Sequence, residues 1–124
     1  MSRAARRWAI IRVMAYDEDL ANLIREVVAD EPDVSEKRMF GGLAFLVGGY
    51  MTVAASGQGG LLARVDPAQS DGLLLKPHAA PFEMRGRSMQ GWLRIDPEGV
   101  RTRRQLEPWV ERALKYARSL PPKG

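Results

Sequence analysis

Two apolar runs joined by a pair of glycines lie near the middle of the chain, where residues 43–55 read LAFLVGGYMTVAA. Both runs are rich in residues that favour β-strands, and two glycines supply the positive φ angles that a tight hairpin turn needs. The stretch therefore predicts an antiparallel hairpin, with strands over 43–47 and 50–55.

A helix is predicted before the hairpin, over 18–30. Its apolar residues recur at i, i+3, i+4, i+7 and i+8, and they are Leu20, Leu23, Ile24, Val27 and Val28. Asp17 is placed to cap the first turn, and Glu31 precedes a proline, which disfavours helical backbone. A strand over 35–40 follows, ended by a bulge or turn at Gly41 and Gly42.

A second glycine-rich turn follows the hairpin at 57–60 and leads into a predicted strand over 61–65. Asp66 followed by Pro67 has the form of a helix start, which predicts a short helix to about residue 75. Three further segments are then predicted: a loop at 79–81, and strands over 82–85 and 91–95.

The last helix ends near Leu120, and its start has two interpretations. Residues 102–105 have the form of a capping box, but Pro108 would then lie inside the helix and remove a backbone hydrogen bond. Either a short turn precedes a helix that begins near Glu107, or the first turn is bent.

This order, α-β-β-β-β-α-β-β-α, predicts an α+β fold: a two-layer sandwich in which an antiparallel sheet of about five to six strands carries helices on one face. The other face is left for water or a partner. A single domain is expected over 14–124. Arg3, Arg6, Arg7 and Arg12 account for the whole net charge of +4, and residues 1–13 are predicted to be a disordered basic extension.

Composition excludes several classes of protein. The chain has no cysteine, so it has neither disulfides nor thiolate sites. The longest apolar run, 43–47, is far too short to cross a bilayer. We therefore expect a cytoplasmic protein with no membrane partner and no cofactor.

No catalytic or metal-binding constellation is recognisable. His78 is the only histidine, and acid–base catalysis or zinc binding would need partners that its sequence neighbourhood does not supply. We expect a non-enzymatic protein, with an activity involving His78 as the alternative.

Eight basic residues are candidates for binding a partner or an anion. Positive charge in the first turn of a helix opposes the helix dipole, which singles out the arginines at the start of the last helix. The set is Lys37, Arg38, Arg85, Arg87, Arg94, Arg101, Arg103 and Arg104. The alternative is a solvated face with scattered ion pairs.

Four stretches carry a resemblance to a known family: Met14 to Phe45, which holds Met39-Phe40-Gly41-Gly42; Gly49-Tyr50-Met51; 61–65; and 86–92. With 109–121 they resemble the N-terminal domain of the TfoX/Sxy competence regulators over nearly all of 14–123. The resemblance implies a secretion-chaperone-like two-layer fold, without the C-terminal domain of the full-length regulators. It also marks structural motif residues, namely Met39, Phe40, Gly41, Gly42, Gly91 and Trp92.

The resemblance implies a regulatory or protein-interaction module related to competence and transcription regulators, whose biochemical activity is unassigned. We expect a protein partner, of unknown identity, and self-association as a homodimer is a further expectation. The alternative is a nucleic-acid-binding accessory factor that uses the C-terminal arginine cluster. A steep loss of binding with salt would distinguish it, because phosphate neutralisation releases counterions.

Overall fold

A computed structural model describes residues 16–39 and 41–123, so the predictions for residues 1–13 and for Phe40 lie outside the described residues. Within that part of the chain, the α-helices are α1 (Glu18–Val27), the short α2 (Ser70–Leu73) and α3 (Arg103–Ser119). The strands are β1 (Val34–Met39), β2 (Gly42–Val47), β3 (Tyr50–Ala55), β4 (Leu61–Arg64), β5 (Ala79–Met84) and β6 (Arg87–Ile95).

The six strands form one antiparallel sheet in the order β1-β2-β3-β4-β6-β5. The predicted hairpin is confirmed: Val47 pairs with Tyr50 across Gly48 and Gly49, whose φ angles are 59° and 86°. The predicted α+β class and element order are confirmed as well.

The two faces of the sheet carry separate apolar clusters. On the first face, strand residues such as Phe45, Val53 and Leu93 pack with residues of all three described helices to form the main core. The second face carries a smaller buried cluster of Ala44, Met51, Ala54 and Leu62, with partly buried Met39, Leu46, Phe82 and Trp92 against it. No residue of the described helices belongs to this second cluster.

Helix α1 begins as predicted but ends earlier. Asp17 accepts a hydrogen bond from the Leu20 amide at 3.1 Å, which caps the first turn. The helix ends at Val27 rather than at residue 30, and the chain turns before Pro32. Val28 is buried although it lies just beyond the helix, so it continues the apolar periodicity without being helical. The prediction from periodicity therefore made the helix too long.

The predicted loop at 79–81 is wrong, because these residues open β5, where Ala79 pairs with Ile95 and Pro81 with Leu93. Strand β5 lies at the edge of the sheet, where a proline removes no ladder hydrogen bond. The register shifts after Pro81 so that Glu83 pairs with Ser88. We call residues 82–92, which form the β5–β6 turn and this irregular region, the arm.

Helix α3 starts with a complete capping box. Thr102 accepts a hydrogen bond from the Gln105 amide at 3.2 Å, and the Gln105 side chain accepts one from the Thr102 amide at 3.1 Å. Pro108 therefore lies inside the helix, and the alternative start near Glu107 is wrong. Two satisfied backbone donors at the cap offset part of the hydrogen bond that the proline removes.

Candidate partner-binding surfaces

The arginines at the start of α3 face the acids of α1. Arg103 contacts Glu26 at 3.7 Å and Glu107 at 2.9 Å. Arg101 lines a shallow cavity with Asp17 and Asp19. Arg104 is exposed and forms no ion pair with a described residue. Of these three arginines, Arg103 thus forms ion pairs with described residues, although exposed pairs add little stability.

The turn of the arm presents two further candidates. Arg85 and Gly86 form it with φ angles of 56° and 77°, and Arg87 begins β6 directly after it. Both arginines are exposed, and neither forms an ion pair with an acid of residues 16–39 or 41–123.

Lys37 and Arg38 lie on opposite faces of the edge strand β1. Lys37 pairs with Ala44 on the second face, and Arg38 pairs with Leu43 on the helix side. The guanidinium carbon of Arg38 lies 5.7 Å from the centre of the Tyr16 ring, so an aromatic ring rather than an acid of α1 neighbours it.

Sequence reasoning missed the charge pair that joins α1 to β1. Arg25 donates two hydrogen bonds to Glu36, at 2.7 and 2.8 Å. The hydrogen bonds to Glu36 raise the pKa of Arg25, and those from Arg25 lower the pKa of Glu36 below its usual value. Nothing in the spacing of these residues signals the pair, because they come together only when the strand packs beside the helix.

An apolar groove lies between α2 and the arm, and we call it the α2–arm groove. Its volume is about 430 Å³, and its walls include Leu74, Pro81 and Met89, with Ser88 and Gln90 at the rim. Met89 is 37 % exposed, and Leu75, which follows Leu74 in the chain, is 86 % exposed. These are the large exposed apolar side chains of the described residues, and the sequence reasoning did not single them out.

A second cavity, of about 280 Å³, lies on the second face of the sheet. Arg94 and Arg85 line it together with Met39 of β1, so it extends from one edge strand to the arm beside the other. The structure thus brings two of the predicted arginines into one cavity and places Arg101 and Arg103 elsewhere, against α1.

His78 lies in the turn before β5, at a φ angle of 71°. Its side chain is exposed and makes no hydrogen bond with a described residue, while its carbonyl accepts one from the Asp96 amide at 2.9 Å. Among residues 16–39 and 41–123, no three acids or histidines are grouped to hold a metal ion. No helix in that part of the chain is long and apolar enough to span a bilayer.

The model of the TfoX N-terminal domain family matches residues 26–117 of the 124-residue chain. The chain belongs to the TfoX N-terminal domain family. No curated protein and no solved structure matches it.

Two glycines of the TfoX motif stand where the chain leaves β1 for β2. Gly41 has a φ angle of 72°, which favours glycine. Gly42 begins β2 so close to β3 that a Cβ would collide with the Ala55 carbonyl oxygen and lie 2.9 Å from the Gly57 amide nitrogen. The motif thus brings β2 and the end of β3 into close backbone contact.

The other described TfoX motif residues pack on the second face or tie the arm to α2. Met39 and Trp92 lie against the second cluster, and the Arg64 guanidinium carbon lies 5.5 Å from the centre of the Trp92 ring. The Gly91 amide donates to the Ser70 hydroxyl at 2.7 Å, and the Gly91 carbonyl accepts from the Val65 amide at 2.7 Å. Gly91 therefore connects β6 to the chain on both sides of the 3-10 turn Pro67–Gln69, which leads into α2.

Proposed function

We propose that this TfoX N-terminal domain is a non-enzymatic protein-interaction module that binds an acidic, apolar segment of a regulatory partner in the α2–arm groove. The observation that carries the proposal is the exposed side chain of Met89, which lines this apolar groove two residues after Arg87 of the basic turn. The regulatory role rests on the family resemblance, and the cytoplasm is the location that we propose with it.

The groove exposes apolar surface to water, and a partner that covers this surface gains binding free energy. Burying exposed apolar surface is favourable by roughly 25 cal/mol for each Å². Met89 is suited to such a surface because its unbranched side chain adapts to different partners. Ser88 and Gln90 at the rim add hydrogen-bonding groups that can fix the orientation of a bound segment.

Charge complementarity favours an acidic segment on the arm side of the groove. Asp71 lines the α2 side, whereas Arg87 immediately precedes Ser88 and Met89 and Arg85 lies in the turn just before it. Neither arginine is neutralised by an acid of the described chain. A partner carboxylate placed one or two residues from an apolar anchor would form an ion pair at the rim, which adds specificity and speeds association.

The edge strands of the sheet favour binding of a partner in the groove over pairing of a partner strand with the sheet edge. Strand β1 carries Glu36, Lys37 and Arg38 in succession, and β5 carries Pro81. Charged side chains and proline are the devices by which edge strands avoid pairing with other chains. A nucleic-acid role has less support, because Arg101 and Arg103 lie against acids of α1.

A displayed library of random peptides tests the proposal. We expect selection on the full chain to enrich peptides that combine acidic and apolar residues. Fluorescence anisotropy with one selected peptide should then show that Met89→Ser weakens binding at least tenfold and that Arg87→Glu weakens it severalfold, because an exposed ion pair is worth about 0.2–1 kcal/mol. Arg104→Glu is the matched control, since Arg104 is also exposed and forms no ion pair with a described residue, and it should leave the affinity unchanged.

Three results would count against the proposal. These are a selection that enriches no sequence class, selected peptides that lack acidic residues, and equal weakening of binding by Arg87→Glu and Arg104→Glu. Circular dichroism of each variant separates a lost contact from a lost fold, because the three substituted side chains are exposed.

A further inference from the structure

We propose that the cavity on the second face of the sheet binds a small apolar monocarboxylate, with Arg94 as the residue that binds the carboxylate. This proposal goes beyond the partner groove and does not depend on it. We call the cavity the Arg94 cavity.

Arg94 is held in place by neutral acceptors. It lies opposite Leu62 on the second face and is half-buried. Its Nη1 donates to Ser56 Oγ and Gln58 Oε1, both at 3.3 Å, and its Nη2 donates to the Gly59 carbonyl at 3.0 Å. No carboxylate of the described residues lies within 4 Å of its guanidinium nitrogens.

The desolvation cost of a half-buried guanidinium is only partly offset when no counter-ion lies beside it. Charges that are removed from water are normally paired, because desolvation disfavours an isolated ion. Three neutral acceptors orient the group but leave its positive charge. Guanidinium has five N–H donors in a rigid planar fork, so donors remain after these three bonds, and a carboxylate is an anion that this fork matches.

One part of the cavity lining is apolar. Ala54 and Leu62 are buried beneath it, and Met39, Phe82 and Met84 form its walls. A carboxylate bound at Arg94 would therefore leave its hydrocarbon part against these side chains. The volume of about 280 Å³ lies just below the range of roughly 300–1,000 Å³ for pockets that hold drug-sized ligands, so a short chain or single ring fits.

The other charged groups of the cavity also favour an anion. Arg85 lies in the same lining and adds a second positive charge. Glu83 is the acid of the lining among the described residues, and it forms no ion pair with Arg94. Two guanidinium groups against one carboxylate leave the described lining with a net positive charge.

Three small-molecule probes, tested on the full-length protein, separate the contribution of the ligand's charge to binding from that of its hydrocarbon chain. Hexanoate has both, hexanamide has nearly the same shape without charge, and acetate has the charge without the chain. Titrations followed by ¹H–¹⁵N NMR should show saturable binding of hexanoate, with shifts at Ala54, Leu62 and Arg94. Hexanamide and acetate should bind at least tenfold more weakly, since an ion pair and apolar burial both contribute.

Arg94→Gln should weaken hexanoate binding at least tenfold, and Arg104→Gln is the matched control that should not change it. Equal binding of hexanoate and hexanamide, no saturable binding of hexanoate, or unchanged binding by Arg94→Gln would each overturn the proposal. The comparison of probes uses the wild-type chain alone, so it decides the question even where Arg94→Gln does not fold. Loss of peptide binding at the α2–arm groove would leave these results unaffected.

Discussion

Gly91 and Gly86 both have φ angles that favour glycine, 88° and 77°, but their surroundings differ. A Cβ at Gly91 would lie 3.1 Å from both the Val65 carbonyl oxygen and Pro67 Cγ, whereas nothing lies within 4 Å of one at Gly86. We expect Gly86→Ala to lower the free energy of unfolding by about 1 kcal/mol, from backbone strain alone. Gly91→Ala should lower it by about 1–3 kcal/mol more, because overpacking is added.

Urea unfolding of both variants measures the difference. Equal losses would mean that the chain at Val65 and Pro67 moves aside without cost, and that Gly91 does not hold the arm against the α2 segment.

The Arg25–Glu36 pair predicts a small acid-dependent contribution to stability. The folded-state pKa of Glu36 is lowered, so the pair stabilises the fold above the unfolded-state pKa of about 4.3, and this contribution is lost as the pH falls through the lower folded-state value. Both side chains are more than a third exposed, at 42 % and 37 %, so we expect a coupling energy of about 0.2–1 kcal/mol.

A double-mutant cycle with Arg25→Ala and Glu36→Ala, measured by urea unfolding near neutral pH and again near pH 3, tests this pair. The coupling energy should shrink at the lower pH and at high salt. A coupling energy that is the same at both pH values would show that the carboxylate charge contributes nothing.

At the scale of the element, α3 carries a proline that its sequence must compensate. Pro108 is exposed and removes the amide that would bond to the Arg104 carbonyl. Pro108→Ala restores this donor but gives the unfolded chain more freedom, by about 0.4–1 kcal/mol. We expect a net gain of about 1–2 kcal/mol in the free energy of unfolding, with more helix by circular dichroism.

Glu111→Ala is the matched control for this prediction. Glu111 is exposed on the same helix and, unlike Pro108, has a backbone N–H that can donate. Its substitution should therefore change the free energy of unfolding by no more than about 0.5 kcal/mol. A destabilised Pro108→Ala variant would mean that the proline ring contributes packing that exceeds the cost of the missing hydrogen bond.

Elements whose signals are local were predictable from the sequence. The paired glycines between apolar runs predicted the β2–β3 hairpin, and Asp17 predicted the start of α1. The start of β5 was not predictable in the same way. Pro81 indicates a loop when only its neighbours are considered, but it is compatible with a strand once β5 is known to lie at the edge of the sheet.

The candidate sites were less predictable than the elements, because they depend on which side chains meet. Sequence proximity grouped Arg101, Arg103 and Arg104, yet two of them face acids of α1. Arg94 was predicted as a candidate, but its neutral acceptors, Ser56 and Gln58, come from the turn after β3. The exposure of Met89 and Leu75 follows from packing, which no local pattern indicates.

At the scale of the whole molecule, the sheet separates two kinds of surface. Its first face is covered by helices and forms the core, whereas the second cluster and the Arg94 cavity lie on the face to which no described helix contributes. The α2–arm groove lies beside the arm, where the TfoX motif residues Gly91 and Trp92 line it. The two proposed sites thus share the arm, and Arg85 in its turn lines the Arg94 cavity and also adds positive charge beside the groove.

This division predicts how binding should respond to salt. Nucleic-acid binding loses affinity with a slope of about −0.9 in log K against log salt for each phosphate that is neutralised. Arg101 and Arg104 would contribute roughly −1.8 together if both contacted phosphate. Because we assign partner binding to the groove, we expect the double variant Arg101→Glu/Arg104→Glu to leave the salt dependence of duplex DNA binding by the full chain unchanged.

Fluorescence anisotropy of a labelled duplex, titrated with the wild-type chain and this double variant at several salt concentrations, provides the measurement. A slope that becomes shallower by roughly 1.8 in the variant would place phosphates at the start of α3 and favour the nucleic-acid alternative. The acidic peptide offers the opposite comparison, because its one rim contact with Arg87 is exposed and exposed ion pairs are worth only about 0.2–1 kcal/mol. Its affinity should fall only a few fold over the same range of salt, since apolar burial at Met89, Leu74 and Pro81 supplies most of the binding free energy.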